Sequence, residues 1–165
     1  MHELQRLRFD HAPALLAFEL ENRAYFAAAI SDRGDDYFAR FDAKLRALLA
    51  EQAAGLHFLH VLVDDGGAVQ GRINLVDVAD GTAELGYRIA EKCAGQGVAT
   101  AAVREVCALA AGPYGLTSLR AVTTLDNAGS RAVLTRTGFL STGETRLGTR
   151  PGLRFHLPLP RPAAR

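Results

Sequence analysis

Residues 84–100 read ELGYRIAEKCAGQGVAT and join a predicted strand to a predicted helix through a loop that contains two glycines. The strand, Thr82–Ile89, follows an Asp-Gly turn, and the helix runs from Val98 to about Ala111 with apolar residues at helical spacing. Glycine lets the backbone curl tightly and approach a ligand closely. The first turn of such a helix presents N–H groups without acceptors at the positive end of its dipole, so the junction is suited to an anion such as a pyrophosphate.

Two nucleotide-binding interpretations of this loop fit poorly. A Walker loop ends in Gly-Lys-Ser/Thr, whereas Gly97 is followed by Val98 and Ala99. A dinucleotide-binding loop has the pattern GxGxxG, but Thr100 stands at the position of the third glycine. The loop also follows predicted hairpins and does not open a parallel βαβ unit. From these residues alone, a nucleotide-binding module and a tight turn without a ligand both stay open.

The segments on either side of the loop predict an α/β (α+β) fold. Their predicted order is strand Leu4–Arg8, helices His11–Ala29 and Asp35–Ala54, strands Phe58–Val63, Ala68–Val78 and Thr82–Ile89, helix Val98–Ala111, strand Leu119–Thr124, helix Asn127–Thr137, and strands Phe139–Leu147 and Arg154–Leu159. Hairpin signals between the three central strands predict an antiparallel meander. We therefore expect one domain over residues 1–160, with a mixed, mostly antiparallel sheet of about six to seven strands flanked by helices, and a frayed tail at 161–165.

Composition excludes several classes of function. The chain has 165 residues, of which 48% are hydrophobic and 22% charged, and its formal net charge is +1. This balance provides no electrostatic footprint for nucleic acid, and no run approaches the roughly 20 apolar residues that span a bilayer. The N-terminus does not resemble a secretory signal, and the cysteines and histidines show no metal-ligand spacing. We expect a cytoplasmic protein that binds neither membrane, nucleic acid nor metal.

Three motifs, the first of them in two parts, resemble the GNAT acetyltransferases. Residues 84–89 (ELGYRI) and 94–100 (AGQGVAT) are similar to the coenzyme A motif of that family, [Q/R]-x-x-G-x-[G/A]. Residues 126–139 (DNAGSRAVLTRTGF) are similar to the pattern N-x-x-S-x-x-x-L-x-x-x-G-F, which marks the branch of the ribosomal-protein-serine/alanine N-acetyltransferases (RimJ/RimL type). Residues 21–26 (ENRAYF) also resemble that branch.

The resemblance implies a single GNAT domain that transfers acetyl from acetyl-CoA to a primary amine by direct attack on the thioester. The acceptor would be a protein N-terminus or a small-molecule amine, no metal is needed, and a homodimer is compatible with the family. The chain departs from the family pattern at Ala94, where glutamine or arginine is usual, and at Leu134, where many members carry a tyrosine as general acid. These departures motivate an alternative, a catalytically degenerate GNAT domain that binds acyl-CoA as a sensor.

The resemblance also assigns site residues. The expected coenzyme A-binding residues are Tyr87, Ile89, Ala94, Gly95, Gln96, Gly97, Val98, Ala99, Thr100 and Asn127. Glu84 is the expected general base, and Ser130 is expected to relay a proton or to hydrogen-bond the thiol. The expected acceptor-binding residues are Asn22, Arg23, Tyr25 and Phe26, with Asp35, Asp36 and Tyr37 from the next segment. Structural roles stay open for Glu84 as a solvent-facing residue, for Asn127 as a helix N-cap, and for the aspartates as residues that start a helix.

Overall fold

A computed structural model describes residues 1–161. Except for Arg161, the predicted frayed tail therefore lies outside the described residues. The strands are β1 (His2–Arg6), β2 (Phe58–Asp64), β3 (Val69–Ala79), β4 (Thr82–Ile89), β5 (Ser118–Thr124), β6 (Leu140–Leu147) and β7 (Arg150–Pro158). The helices are α1 (Ala12–Glu21), α2 (Arg23–Ala27), α3 (Asp35–Ala39), α4 (Phe41–Ala53), α5 (Val98–Ala111) and α6 (Ala128–Arg136). Within this part of the chain, no helix has the length and apolar character needed to cross a membrane.

The predicted α/β class and the order of elements are confirmed. The prediction of two single N-terminal helices is wrong, because each of them is divided into two. The predicted helix 11–29 is divided at Asn22, whose side-chain Nδ2 donates to the carbonyl of Phe18 at 2.9 Å. A side chain that bonds the backbone in this way competes with the helical ladder. The predicted helix 35–54 is divided at Arg40, where φ is −115° and ψ is 28°.

Strand bounds also need correction at the two ends of the chain. β1 begins and ends two residues before the predicted Leu4–Arg8. β7 begins at Arg150 instead of the predicted Arg154, because a turn at Gly148-Thr149 brings β7 back beside β6 from its first residue. The sequence obscured this start, since proline at the second position of β7 usually indicates a strand edge or a loop.

The sheet is divided at its centre. Its strand order is β1-β2-β3-β4-β5-β7-β6, and the neighbours are antiparallel except for β4 and β5, which are parallel. The β4–β5 ladder holds three residue pairs, from Thr82 opposite Ser118 to Glu84 opposite Arg120. Beyond these pairs β5 continues to pair with β7 as far as Thr124. The two central strands therefore separate toward the end of β4, leaving a gap in the sheet.

Helices cover the two faces of the sheet unequally. Helices α5 and α6 pack on one face through buried residues that include Val103 and Leu134. Helices α1, α2 and α4 pack on the other face, where Phe18 and Leu59 are fully buried. Each such side chain stabilises the fold by about 1.5–3 kcal/mol. On the same face as the N-terminal helices, Val122 of β5 stays exposed, so these helices leave the gap between β4 and β5 accessible.

A buried histidine links the sheet to the end of α5. His60 lies 3.0 Å from the carbonyl of Ile73 through Nδ1 and 2.6 Å from the hydroxyl of Tyr114 through Nε2. A carbonyl can only accept, so Nδ1 carries the proton and Nε2 accepts from the tyrosine, which is the neutral form of the ring. Burial, and to a smaller extent the charge of Arg6, lower the pKa of His60 to about 4.

We expect this histidine to make stability depend on pH. The unfolded chain takes up a proton at His60 below about pH 6.5, whereas the folded chain does so only near pH 4. The stabilisation is therefore present above about pH 6.5 and is lost as the pH falls toward 4, with a loss of about 2 kcal/mol between pH 7.5 and pH 5. Urea denaturation at these two pH values measures it, and His60→Gln should show a smaller difference. An equal difference in the variant would assign the effect to other groups.

Candidate active site

A cavity of about 960 Å³ lies where β4 and β5 separate. Its walls are the end of α2 and the residues after it, the second half of β4, the glycine loop with the start of α5, the second half of β5, most of α6, and Leu147 of β6. Among the predicted site residues, the lining includes Tyr25, Phe26, Tyr87, Ile89, Ala94, Gly95, Gly97, Val98, Ala99, Thr100, Asn127 and Ser130. The fold thus brings together most of the residues that the sequence analysis selected.

The glycine loop ends in a helix start that is free to bind a ligand. Gly95 and Gly97 have φ values of +73° and +76°, a left-handed conformation that other residues rarely adopt. Gly97 is the N-cap of α5, and no side chain of residues 1–161 caps this helix. The N–H groups of residues 98–100 therefore have no acceptor within the helix. A Cβ added at either glycine would meet no protein atom within 4 Å, so the backbone faces open space in the cavity.

The backbone of β4 also faces the gap. Ala90, directly after β4, donates its N–H to Gln70 at the start of β3. Backbone groups of successive residues in a strand point to alternate sides, so those of Tyr87 and Ile89 point away from β3. They have no partner strand there, because the β4–β5 ladder ends at Glu84. This arrangement offers N–H donors and C=O acceptors along one side of the cavity.

A hydrogen-bonded pair of hydroxyls lines the cavity. The hydroxyl of Tyr87 on β4 donates to Oγ of Ser130 on α6 at 3.2 Å. The side chain of Asn127 accepts the N–H of Ser130 at 3.1 Å and so caps α6 while it lines the cavity. Burial raises the pKa of Tyr87, and the bond to Ser130 offsets part of that rise, so the phenol stays protonated at neutral pH. The site thus contains a protonated hydroxyl network where the usual tyrosine position is occupied by Leu134.

Glu84 lies outside this cavity. It occupies the last paired position of the β4–β5 ladder, and its carboxylate lies 3.9 Å from the guanidinium of Arg120. Side chains alternate between the two faces of a strand, so Glu84 and Tyr87 point to opposite faces of β4. The structure therefore does not bring the predicted base together with the hydroxyl pair.

The predicted acceptor residues divide into two groups. Tyr25 and Phe26 line the cavity, with the phenylalanine ring buried. Asn22 is buried and accepts the N–H of Glu91 at 3.0 Å, so it ties the junction of α1 and α2 to the turn after β4. Arg23 forms ion pairs at 2.8 Å with Asp32 and Asp35 near the surface. The structure gives Asn22 and Arg23 structural contacts outside the cavity.

The remaining predicted residues also lie outside the cavity lining. Asp36 pairs with Arg40 and Lys44 on the exposed side of α3 and α4. Gln96 donates from its side chain to the carbonyl of Lys92 and stays exposed. Tyr37 hydrogen-bonds Arg72, within a buried charged cluster that the sequence analysis did not identify.

The chain matches one family of known proteins over most of its length. Residues 3–140 match the family described as "Acetyltransferase (GNAT) domain". A Bacillus subtilis protein named "Putative ribosomal N-acetyltransferase YdaF" is 37% identical over 84 residues, which are 50% of this chain and 46% of that protein. The match therefore spans about half the length of that curated relative.

Two solved structures share the fold over nearly the whole chain. The ribosomal-protein-S5-alanine acetyltransferase from Vibrio fischeri has a TM-score of 0.90 at 18% identity, covering 95% of this chain and 92% of that one. Mycobacterium smegmatis RimJ in complex with CoA-disulfide has a TM-score of 0.84 at 23% identity, covering 95% of this chain and 81% of that one. Since the family match covers most of the sequence and the motifs line one cavity, the chain belongs to the GNAT acetyltransferase family.

Proposed function

We propose that the protein transfers an acetyl group from acetyl-CoA to a primary amine. The observation that carries this proposal is the single cavity that joins the uncapped start of α5 to the gap between β4 and β5. An uncapped helix start and a row of free strand groups on one cavity suit a long ligand that has an anionic end and an amide-containing arm. Acetyl-CoA has this form, and its thioester supplies the activated acetyl group.

The residues present fit acetyl-CoA. The N–H groups of residues 98–100 and the two left-handed glycines would hold the pyrophosphate, as backbone donors that need no side chain. Ala94 lines the same cavity, so the missing glutamine or arginine removes one side-chain contact and leaves the backbone cradle in place. The free groups of Tyr87 and Ile89 would bond the amides of the arm, together with the Asn127 side chain.

Transfer by direct attack requires no reactant beyond the amine and acetyl-CoA. The amine nitrogen forms a bond to the carbonyl carbon, the carbon–sulfur bond breaks, and the proton lost by nitrogen ends on the sulfur. A free N–H of β4 would stabilise the oxyanion, a contribution often worth about 3–4 kcal/mol per donor. The hydroxyl of Tyr87 would turn its proton from Ser130 to the departing thiolate, and the hydroxyl of Ser130 would then donate to the phenol oxygen. In this role Tyr87 would take the place of the tyrosine that many family members carry at the position of Leu134. A thiol-protonating group in the site favours an enzyme over a purely sensory domain.

We expect the hydroxyl pair to affect turnover more than binding. Tyr87→Phe removes the donor but keeps the ring, so the turnover number should fall about tenfold or more while the affinity for acetyl-CoA stays within a few-fold. Ser130→Ala should reduce turnover in the same direction, because it removes the hydroxyl that would donate to the phenol oxygen while the phenol donates to the thiolate. Steady-state thiol release, with acetyl-CoA binding measured separately, checks both variants. Unchanged turnover in Tyr87→Phe would contradict the assignment.

Glu84→Gln is the companion variant. Because Glu84 pairs with Arg120 outside the cavity, we expect its turnover to stay within about threefold of the wild type. A neutral amine is available without a dedicated base when the acceptor is an α-amine, whose reference pKa is about 7.7–8.0. A large loss of turnover with a shifted pH profile would instead restore Glu84 as the base.

The names of the relatives favour a protein N-terminus as one acceptor class. Both the Bacillus subtilis relative and the Vibrio fischeri structure carry names that refer to ribosomal proteins. A small-molecule amine is the other class. The charged residues beside the cavity bear on the choice between these two classes of acceptor.

Calorimetric titration with acetyl-CoA, CoA and ATP tests the proposal. We expect micromolar binding of acetyl-CoA and CoA without binding of ATP, followed by thiol release when a panel of amines is added. Binding without thiol release for any amine would favour the sensor alternative. Failure to bind acetyl-CoA, or comparable binding of ATP, would overturn the proposed function.

A further inference from the structure

A buried carboxylate beside the gap is surrounded by an excess of arginine. Glu19 on α1 is 1% exposed, and its oxygens lie 2.8 Å from Arg33, 3.2 Å from Arg72 and 3.6 Å from Arg88. The cluster therefore combines three guanidinium groups with one carboxylate. Burial lowers the pKa of Arg88 to about 10, and the neighbouring charges of Arg33 and Arg72 contribute to that reduction. An additional anion would relieve this excess of positive charge.

The three arginines line a second, smaller cavity. Its volume is about 270 Å³, and its walls are Ile30, Arg33, Arg72, Asn74, Gly86, Tyr87 and Arg88. Four of these residues, Ile30, Gly86, Tyr87 and Arg88, also line the large cavity, so the two spaces adjoin at β4. The small cavity thus opens beside the strand that would hold the reacting thioester.

One arginine retains an unused donor. The Arg72 side chain is 5% exposed, and its Nε is buried without a hydrogen-bond partner among residues 1–161. Buried polar groups are normally paired, so Arg72, on the wall of the small cavity, retains hydrogen-bonding capacity that Glu19 and Tyr37 do not use. Arg72 and Arg88 stand opposite each other in the β3–β4 ladder, and Gly86 pairs with Asn74 two residues further along. Two residues of strand measure about 7 Å, so an anion held by the arginines would lie close to the gap.

We propose that Arg72 and Arg88, with Arg33, bind the carboxylate of the acceptor, and that the acceptor is therefore a small amine that carries a carboxylate, such as an amino acid. This inference rests on the proposed function and specifies its substrate class. Paired guanidinium groups bind carboxylates through charge-assisted hydrogen bonds. The cavity of about 270 Å³ accommodates a small molecule.

The test compares carboxylates with their amides. Glycine, β-alanine and 4-aminobutanoate place the carboxylate at increasing distance from the amine, and the corresponding carboxamides remove only the charge. We expect at least one amino acid to be acetylated with a kcat/KM at least about tenfold higher than that of its amide. Equal or better use of the amides, or exclusive use of a neutral peptide N-terminus, would overturn the inference while leaving acetyl transfer intact.

Arg88→Gln locates the effect. Arg88 is less buried than Arg72, and its nearest acidic partner, Glu19, keeps two other arginines, so the variant should fold. We expect its KM for the preferred amino acid to rise at least about tenfold, with unchanged KM for acetyl-CoA and for the amides, and partial recovery in Arg88→Lys. Arg120→Gln is the control, because it removes an arginine from the adjacent strand outside both cavities. Equal losses on amides and amino acids would assign Arg88 a structural role and overturn the inference.

A binding measurement separates this inference from the proposed function. Calorimetry with the amino acid panel and with the matching carboxylic acids that lack an amine requires no turnover. If the protein binds acetyl-CoA but binds carboxylates no better than amides, the anion subsite is absent. If acetyl-CoA itself does not bind, the proposed function fails, and retention of carboxylate binding by the wild type but not by Arg88→Gln would still support the subsite.

Discussion

Replacing Glu19 with alanine is expected to lower the free energy of unfolding by about 3–5 kcal/mol. The carboxylate is buried against Arg33, Arg72 and Arg88, and its removal leaves three partly or fully buried cations without an anion. Removing one partner of a buried ion pair costs far more than the pair contributes, because the remaining charge keeps its desolvation penalty. Domains of this size are stable by about 5–15 kcal/mol, so the loss is a large part of the total.

Urea denaturation of the variant measures this loss, and Glu19→Gln keeps the shape of the side chain if the alanine variant does not fold. Asp36→Ala is the matched control, since it removes an exposed carboxylate that also contacts two cations, Arg40 and Lys44. We expect the control to change stability by less than about 1 kcal/mol. Equal effects of Glu19→Ala and Asp36→Ala would show that the buried cluster does not stabilise the fold.

The same carboxylate predicts sensitivity to acid. Burial alone raises the pKa of Glu19, but the hydrogen bonds and charges of Arg33, together with Arg72 and Arg88, outweigh it and leave the pKa below 4.5. The stabilisation is therefore present above about pH 4.5 and is lost as the pH falls through the lower pKa of the folded state. This window lies below that of His60, so the two groups are distinguishable in one pH series.

Replacing Gly97 with valine is expected to weaken acetyl-CoA binding by about 10- to 100-fold, equivalent to about 1.4–2.8 kcal/mol. Gly97 has φ +76° at the start of α5, and a β-branched side chain strains that conformation. Its added methyl groups would also enter the open space in front of the helix N–H groups, where the pyrophosphate is proposed to bind.

Gly67→Val separates strain from ligand exclusion. Gly67 lies in the β2–β3 turn with φ +87°, and a Cβ there also meets no atom within 4 Å. Both variants should therefore lose comparable stability, measured by urea denaturation, but only Gly97→Val should lose affinity in calorimetric titration with acetyl-CoA. Wild-type affinity in a folded Gly97→Val protein would show that the loop does not bind the pyrophosphate.

Much of the fold follows from local sequence patterns. The glycine loop was identifiable because left-handed glycines and a helix start depend on consecutive residues. The meander was identifiable from its Asp-Gly turns, which act within a few positions. The division of the first helix at Asn22 was not, because it depends on a side-chain bond to Phe18 and on the N–H of the distant Glu91.

The candidate site shows the same division between local and distant information. The separation of Glu84 from the Tyr87 hydroxyl could have been anticipated, since alternation along β4 places the two side chains on opposite faces. The arginine cluster could not, because Glu19 lies on α1, Arg33 in the loop before α3 and Arg72 on β3, and the three meet only in the folded chain. Its pairing with Arg88 depends on the β3–β4 register, which hairpin signals alone do not determine.

The short β4–β5 ladder has a consequence for folding cooperativity. Three residue pairs join the β1–β4 half of the sheet to the β5–β7 half, whereas β5 and β7 share seven. Few backbone hydrogen bonds must break to separate the halves, so much of their coupling has to come through α5 and α6 packed across them. A ligand bound in the gap would contact both halves of the sheet and take the place of the hydrogen bonds that β4 and β5 do not form there. In hydrogen exchange, occupancy of this one site would therefore slow the opening of the whole sheet, including amides that never touch the ligand.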